Sequence, residues 1–169
     1  MTRGSTAIAL EGLSFRYSAD GPDVVQEVTL ELPAGAVTAI LGPNGSGKST
    51  LLHLMLGLLA PRQGQIRLAG ELQASYGHKQ VSTMLGLVPQ DEPAAFNLNV
   101  LETVLMGRAP YLSLLQRPGE RDTALAFGAL ERVGITALWD RPVPELSGGE
   151  RQLVILARAL TQEPDILLL

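Results

Sequence analysis

Gly42-Pro43-Asn44-Gly45-Ser46-Gly47-Lys48-Ser49-Thr50 sets two glycines, a lysine and a hydroxyl residue at the spacing G-x-x-x-x-G-K-[ST]. Val37-Thr38-Ala39-Ile40-Leu41, just before it, is short, apolar and β-prone. The leucine-rich run Leu51 to Leu59, just after it, suits a buried helix. The pattern carries meaning only in that order of strand, loop and helix. A glycine-rich turn lets successive backbone N–H groups converge on one anion, and the following helix adds free N–H groups and the positive end of its dipole. Lys48 brings a full charge to the terminal phosphates and Ser49 a hydroxyl oxygen for Mg²⁺. Each charge-assisted hydrogen bond of this kind contributes about 1.5–3 kcal/mol. The stretch therefore reads as a cradle for a nucleoside triphosphate. The bland alternative is a chance match in a glycine-rich loop.

The chain has 169 residues, enough for one sizeable core and too few for two comfortable domains. Its net charge of −4 comes without a block of like charges, so nucleic acid is not favoured as a partner. It contains no cysteine, which excludes disulfides and thiolate metal sites and suits a reducing compartment. Met1 to Phe15 lacks the continuous apolar segment of a signal peptide. No run approaches the ~20 apolar residues that span a bilayer. The expectation is a soluble or peripheral protein whose membrane role, if any, needs a partner.

Along the chain, Ala7 to Tyr17 and Val24 to Leu32 read as strands around a turn at Asp20-Gly21-Pro22. Val37 to Leu41 is expected as a buried strand. Gln65 to Leu68 and Met84 to Val88 follow as further strands, with an ambiguous polar stretch between them. Val100 to Met106 and Asp122 to Val133 carry helical periodicity, separated by a looser Arg108 to Glu120. A helix from Gly148 or Gly149 to Leu160 and a final strand at Ile166 to Leu169 complete a mixed α/β order with a helical lobe.

Leu146-Ser147-Gly148-Gly149-Glu150 carries a capping box, S-x-x-E, at a helix start. Alone, that is only a common way to satisfy free backbone donors. The paired glycines add something else: they leave the N–H groups uncovered, so a phosphate can approach them. Two bare-backbone anion sites on one chain call for a joint explanation.

With both motifs in view, the chain resembles the ATPase subunits of ATP-binding-cassette (ABC) transporters over essentially its whole length. GPNGSGKST resembles the family's Walker A loop, and LSGGERQ its signature motif. Gln90 of Leu87-Val88-Pro89-Gln90 resembles the Q-loop glutamine. Tyr17 of Phe15-Arg16-Tyr17 sits where the family places an aromatic residue that stacks on adenine. Pro164-Asp165-Ile166-Leu167-Leu168-Leu169 is similar to the approach to the Walker B strand.

The resemblance implies a P-loop ATPase core, an N-terminal antiparallel β subdomain and a helical signature subdomain. It implies approximate lobes at residues 1–90, 91–148 and 149–169 of one domain. It implies ATP and Mg²⁺ as ligands, with Gly42, Pro43, Asn44, Gly45, Ser46, Gly47, Lys48, Ser49 and Thr50 around the phosphates. Tyr17 would stack on adenine, and Ser49 and Gln90 would contact Mg²⁺. Lys48 and Gln90 would take part in catalysis. Ser147, Gly148 and Gly149 would meet the γ-phosphate of an ATP held by a second subunit, since cassettes of this family pair head to tail. The implied partners are a second, identical subunit, a membrane permease and, indirectly, a solute-binding protein. The implied place is the cytoplasmic face of the membrane. Asp91, Glu92 and the loop from Arg108 to Tyr111 are the candidate permease-docking surface.

Leu101 to Arg108, followed by Pro110-Tyr111-Leu112, further resembles the helical lobe of importers for iron–siderophore complexes, haem or cobalamin. Two alternatives stay open: a soluble cassette ATPase of DNA repair or translation, and a nucleotide-binding module without hydrolysis. The family's Walker B strand is followed by an aspartate and a glutamate, and neither stands among these residues. Asp165 precedes the apolar run, and His53 and His78 both precede Gln90, so none substitutes for the missing groups. The sequence thus reads as a C-terminally truncated cassette with an incomplete core sheet, expected to be unstable and catalytically inactive by itself.

Overall fold

The computed structural model describes residues 6–90, 97–113 and 115–169. The chain divides into two compact units, Met1–Val81 and Ser82–Leu169.

In the first unit, β1 (Thr6–Phe15) pairs antiparallel with β2 (Val25–Pro33) and with β3 (Gln63–Leu68), and β3 pairs with the short β4 (Glu71–Leu72). The sheet order is β2-β1-β3-β4. Side chains alternate in and out along β1, so Ile8 and Leu10 are buried together. A register shift between Leu10 and Leu13 then resets the alternation, and Leu13 and Phe15 are buried beyond it. Ile66 and Leu68 of β3 are buried at the same pitch. Helix α1 (Lys48–Met55) buries Leu51, Leu54 and Met55. The leucine-rich helix expected over Leu51 to Leu59 thus starts earlier, inside the phosphate loop, and stops at Met55. The amide of Gln73, in a 3₁₀ turn after β4, donates 3.0 Å to the Leu54 carbonyl and so occupies one of the orphan acceptors at the end of α1.

One expected element is not formed. Val37 to Leu41 has no strand assignment, and Val37 and Leu41 are fully or largely exposed. The residues are as β-prone as expected, but a strand is defined by its ladder, and no described segment pairs with this one. Isolated extended chain gains neither hydrogen bonds nor burial.

In the second unit, β5 (Leu85–Leu87) pairs in parallel with β6 (Ile166–Leu168), Leu85 opposite Ile166 and Leu87 opposite Leu168. These two are the only parallel-paired strands among the described residues. Helix α2 (His78–Met84) precedes β5. The helical lobe comprises α3 (Val100–Leu105), α4 (Glu120–Arg132) and α5 (Gly148–Thr161). Val100 and Val104 of α3, Ala126, Ala129 and Leu130 of α4 and Val154 and Ala157 of α5 form one buried cluster. Ile155 and Ala159, on another side of α5, pack with Val88 just beyond β5. Asn99 caps α3 with a full capping box to Glu102.

The looser stretch expected from Arg108 begins as a 3₁₀ turn, Met106–Tyr111. Arg108 within it is buried, paired with Asp122 at 2.9 Å and Glu163 at 3.2 Å, and bonded to the Thr161 carbonyl at 3.0 Å. Its guanidinium also lies 3.9 Å from the ring centre of Tyr111. Arg108 therefore ties the lobe together, while Ala109 and Tyr111 of the same loop are exposed. Asp91 and Glu92, the other half of the expected docking surface, lie outside the described residues. No helix among the described residues is long and apolar enough to cross a membrane.

Candidate functional site

The phosphate loop is built by its backbone. Gly47 is the N-cap of α1 at φ 87°, in the left-handed region that side chains avoid. A Cβ on it would stand 2.6 Å from the Val24 carbonyl oxygen, so the start of β2 and the loop can meet only through a glycine. Gly45 also has positive φ. No side chain caps α1, and no acidic residue stands in its first turn. Its leading N–H groups are thus left for an outside acceptor, and nothing negative opposes an anion there. Lys48 is folded onto the loop, its Nζ donating 2.9 Å to the carbonyls of both Gly42 and Pro43. Ser49 is exposed in the first turn and Thr50 is buried. A cleft of about 430 Å³ beside the loop is lined by Val24, Gly42, Pro43, Ser46, Lys48 and Leu51, among others. That volume lies within the range of small-molecule sites.

Tyr17 stands at the mouth of this loop. It is 65% exposed, so much of its side chain is accessible. Its ring packs at right angles to that of Phe15, with centroids 5.0 Å apart and planes at 87°. Its hydroxyl lies 3.0 Å from Thr50 Oγ1, so the aromatic residue and the phosphate helix touch.

The connection that carries Tyr17 is braced. Asp23 takes Arg16 Nε at 2.8 Å and Arg62 Nη2 at 3.0 Å. The Arg16 guanidinium, with Arg62 beside it, holds the Asp23 carboxyl below its ordinary range. Arg16 also donates 2.9 Å to the Ala19 carbonyl, and Val24 N donates 2.8 Å to the Phe15 carbonyl. Sequence reading missed this clamp. Arg16 and Asp23 flank the expected turn, but Arg62 lies 39 residues from Asp23 and nothing local announces it.

In the second unit, Gln90 is exposed, two residues past the buried Val88. The amide of Gln152, on α5, donates 3.4 Å to the carbonyl of Pro89, so the signature helix touches the residue before Gln90. Ser147 caps α5. Its backbone N–H donates 2.8 Å and its hydroxyl 2.7 Å to Glu150 Oε2, and Glu150 N–H returns 3.3 Å to Ser147 Oγ. The Ser147 hydroxyl, then its N–H, keeps the Glu150 carboxyl below its ordinary range. A Cβ added at Gly148 or Gly149 would meet nothing within 4 Å. The fold of this chain therefore gives no steric reason for either glycine, and the helix start they leave bare faces open space.

For Mg²⁺, the loop offers the Ser49 hydroxyl, and the described residues hold no cluster of three His, Cys, Asp or Glu. Such a donor set suits an oxygen-seeking ion held largely by phosphate and water. It does not suit a metal caged by protein. The cradle itself fits a polyphosphate in backbone geometry, charge and access.

Taken together, the loop, the uncapped helix and the lysine define a P-loop nucleotide-binding protein. The family model described as ABC transporter matches residues 25–169, and the chain belongs to that family. It is 42% identical over 160 residues to the ABC transporter ATP-binding protein YvrA of Bacillus subtilis, covering 94% of this chain and 36% of that protein. It is 38% identical over 164 residues to the manganese transport system ATP-binding protein MntA of Synechocystis, covering 96% of this chain and 62% of that protein. Among solved structures, an inward-facing metal-chelate type ABC transporter superposes with a TM-score of 0.78 at 37% identity, covering 94% of this chain and 57% of that one. The chain thus spans between about a third and two thirds of the relatives it matches. The match begins at Val25, so Tyr17, Arg16 and Asp23 lie outside it and Arg62 lies within it.

Proposed function

We propose that this chain is the nucleotide-binding part of an ABC importer ATPase that couples ATP hydrolysis to uptake of a metal chelate. The observation that carries the reading is the phosphate loop: a left-handed Gly47, an uncapped α1 and Lys48 at its mouth. Residues Gly42 to Thr50 hold the triphosphate through backbone N–H groups and the Lys48 charge. To do so, Lys48 exchanges the Gly42 and Pro43 carbonyls, wholly or in part, for phosphate oxygens. Ser49 and Gln90 are the ligands we assign to Mg²⁺, which supplies charge neutralisation at the β- and γ-phosphates when bound. Tyr17 packs on adenine.

Ser147, Gly148 and Gly149 meet the γ-phosphate of a second copy's nucleotide, which gives the two sterically free glycines a purpose. Ser147 must then release its hydroxyl proton from Glu150 to reach that phosphate. Water attacks the γ-phosphorus, the bond to the bridging oxygen breaks, and ADP leaves as the oxyanion. Positioning and charge do most of the work. None of the residues assigned here is a carboxylate placed to polarise that water. The 169 residues by themselves are accordingly read as binding ATP without turnover.

Residues 1–90 supply the nucleotide-binding lobe, 91–148 the helical lobe and 149–169 the return to the core. A second copy, a permease and, through it, a solute-binding protein are the proposed partners, at the cytoplasmic face of a membrane. The metal-chelate substrate is supported by the helical stretch Leu101 to Leu112 and by the solved relative's type, whereas MntA is named for manganese. Uptake assays in cells carrying Lys48→Ala test the substrate class. Lost uptake of an iron–siderophore, haem or cobalamin with manganese uptake intact is the expected result. Lost manganese uptake alone would overturn the chelate reading.

A further inference from the structure

We propose that Tyr17 is a positioning residue whose hydroxyl, tied to Thr50, fixes the ring on which the nucleotide base packs and joins base binding to phosphate binding. This rests on the nucleotide reading above. The two residues are 33 positions apart, yet Tyr17 Oη and Thr50 Oγ1 are 3.0 Å apart. Thr50 is buried in the first turn of α1, so its hydroxyl is a rigid anchor. Tyr17 is mostly exposed, so without this bond its side chain has more rotamers open to it.

The other constraints on Tyr17 act on its backbone and through one ring contact. The Asp23 clamp with Arg16 and Arg62 holds the connection from β1 to β2. Phe15 packs at right angles to the ring. Only the hydroxyl ties the far end of the side chain. The tether also has a direction. A threonine hydroxyl has one proton and two acceptor sites, and a phosphate oxygen only accepts. With phosphate at the head of α1, the Thr50 proton points to it, and Tyr17 must then be the donor to Thr50. The Tyr17–Thr50–phosphate chain is a run of hydrogen bonds in which each link polarises the next. Base and phosphate ends therefore bind cooperatively.

Titration calorimetry with Mg-ATP and with inorganic tripolyphosphate, which lacks a base, separates this role from a general structural one. Wild-type protein, Tyr17→Phe, Thr50→Val and the double variant are compared. Tyr17→Phe keeps the ring and loses only the tether. It is expected to weaken ATP about 3- to 10-fold and tripolyphosphate much less. In the Thr50→Val background the same change is expected to cost little more. Equal weakening of both ligands, no weakening of ATP, or a full additive loss in the double variant would overturn the proposal. If Thr50→Val does not fold, the two-ligand comparison on Tyr17→Phe decides alone. If wild-type protein binds neither ligand, or Lys48→Ala binds both equally well, the nucleotide reading fails first and takes this proposal with it.

Discussion

Gly47 concentrates two demands in one residue: a left-handed backbone and a carbonyl 2.6 Å from where a Cβ would stand. Both act on the loop that presents N–H groups to phosphate. Gly47→Ala is therefore expected to cost about 1–2 kcal/mol from the backbone alone, with further cost from displacing Val24. Urea unfolding should register the loss, and calorimetry with Mg-ATP should show weaker binding. Wild-type stability together with wild-type affinity would contradict the geometry. At this scale the loop was legible from sequence, because its residue types and spacing are themselves the chemistry. The Tyr17–Thr50 contact was not, since it joins residues 33 positions apart. The tie made by Arg108 was not legible for a related reason: only the folded chain brings Asp122, Glu163 and the Thr161 carbonyl around it.

Among the elements, α5 does the most. Its N-terminus presents the bare glycines, its body fills two hydrophobic clusters, and its last residues accept Arg108. Gly107 lies so close to α5 that a Cβ would run into the Arg158 carbonyl, which explains a glycine in the middle of that turn. The Arg108–Asp122 pair links this turn to α4. The Gly119 N–H first, and then the Arg108 guanidinium, hold the Asp122 carboxyl below its ordinary range. The free aspartate value is about 3.9. A depressed value means that the stabilisation is complete above that pH and is lost as pH falls through the lowered value. Thermal midpoints at pH 7 and pH 3 check this. Asp122→Asn should lower the midpoint at pH 7 and shrink the difference between the two. An unchanged difference would remove Asp122 from the acid response. The starts of α3, α4 and α5 were legible within a residue or two, marked by Asn99, the turn at Gly119 and Ser147, whereas α2 lay in the polar stretch that read as ambiguous.

For the whole molecule, the sheet was the least legible part. Ala7 to Tyr17 and Val24 to Leu32 were legible as strands around a turn, whereas their antiparallel pairing was implied only by the family resemblance. Val37 to Leu41 has the same composition as a buried strand and is not one, because burial there depends on a neighbour that the pattern cannot supply. The fold nevertheless places a nucleotide cradle in one unit and an open, glycine-led helix start in the other. We assign the second to the nucleotide of another copy. The chain has no cysteine, so introduced thiols report without interference. Mixing protein carrying Asn44→Cys with protein carrying Gly148→Cys, under mild oxidation, measures the claim directly. We expect a covalent heterodimer that forms with ATP and is lost when Lys48→Ala is added to the Asn44→Cys partner. No such dimer, or the same amount with and without ATP, would contradict it.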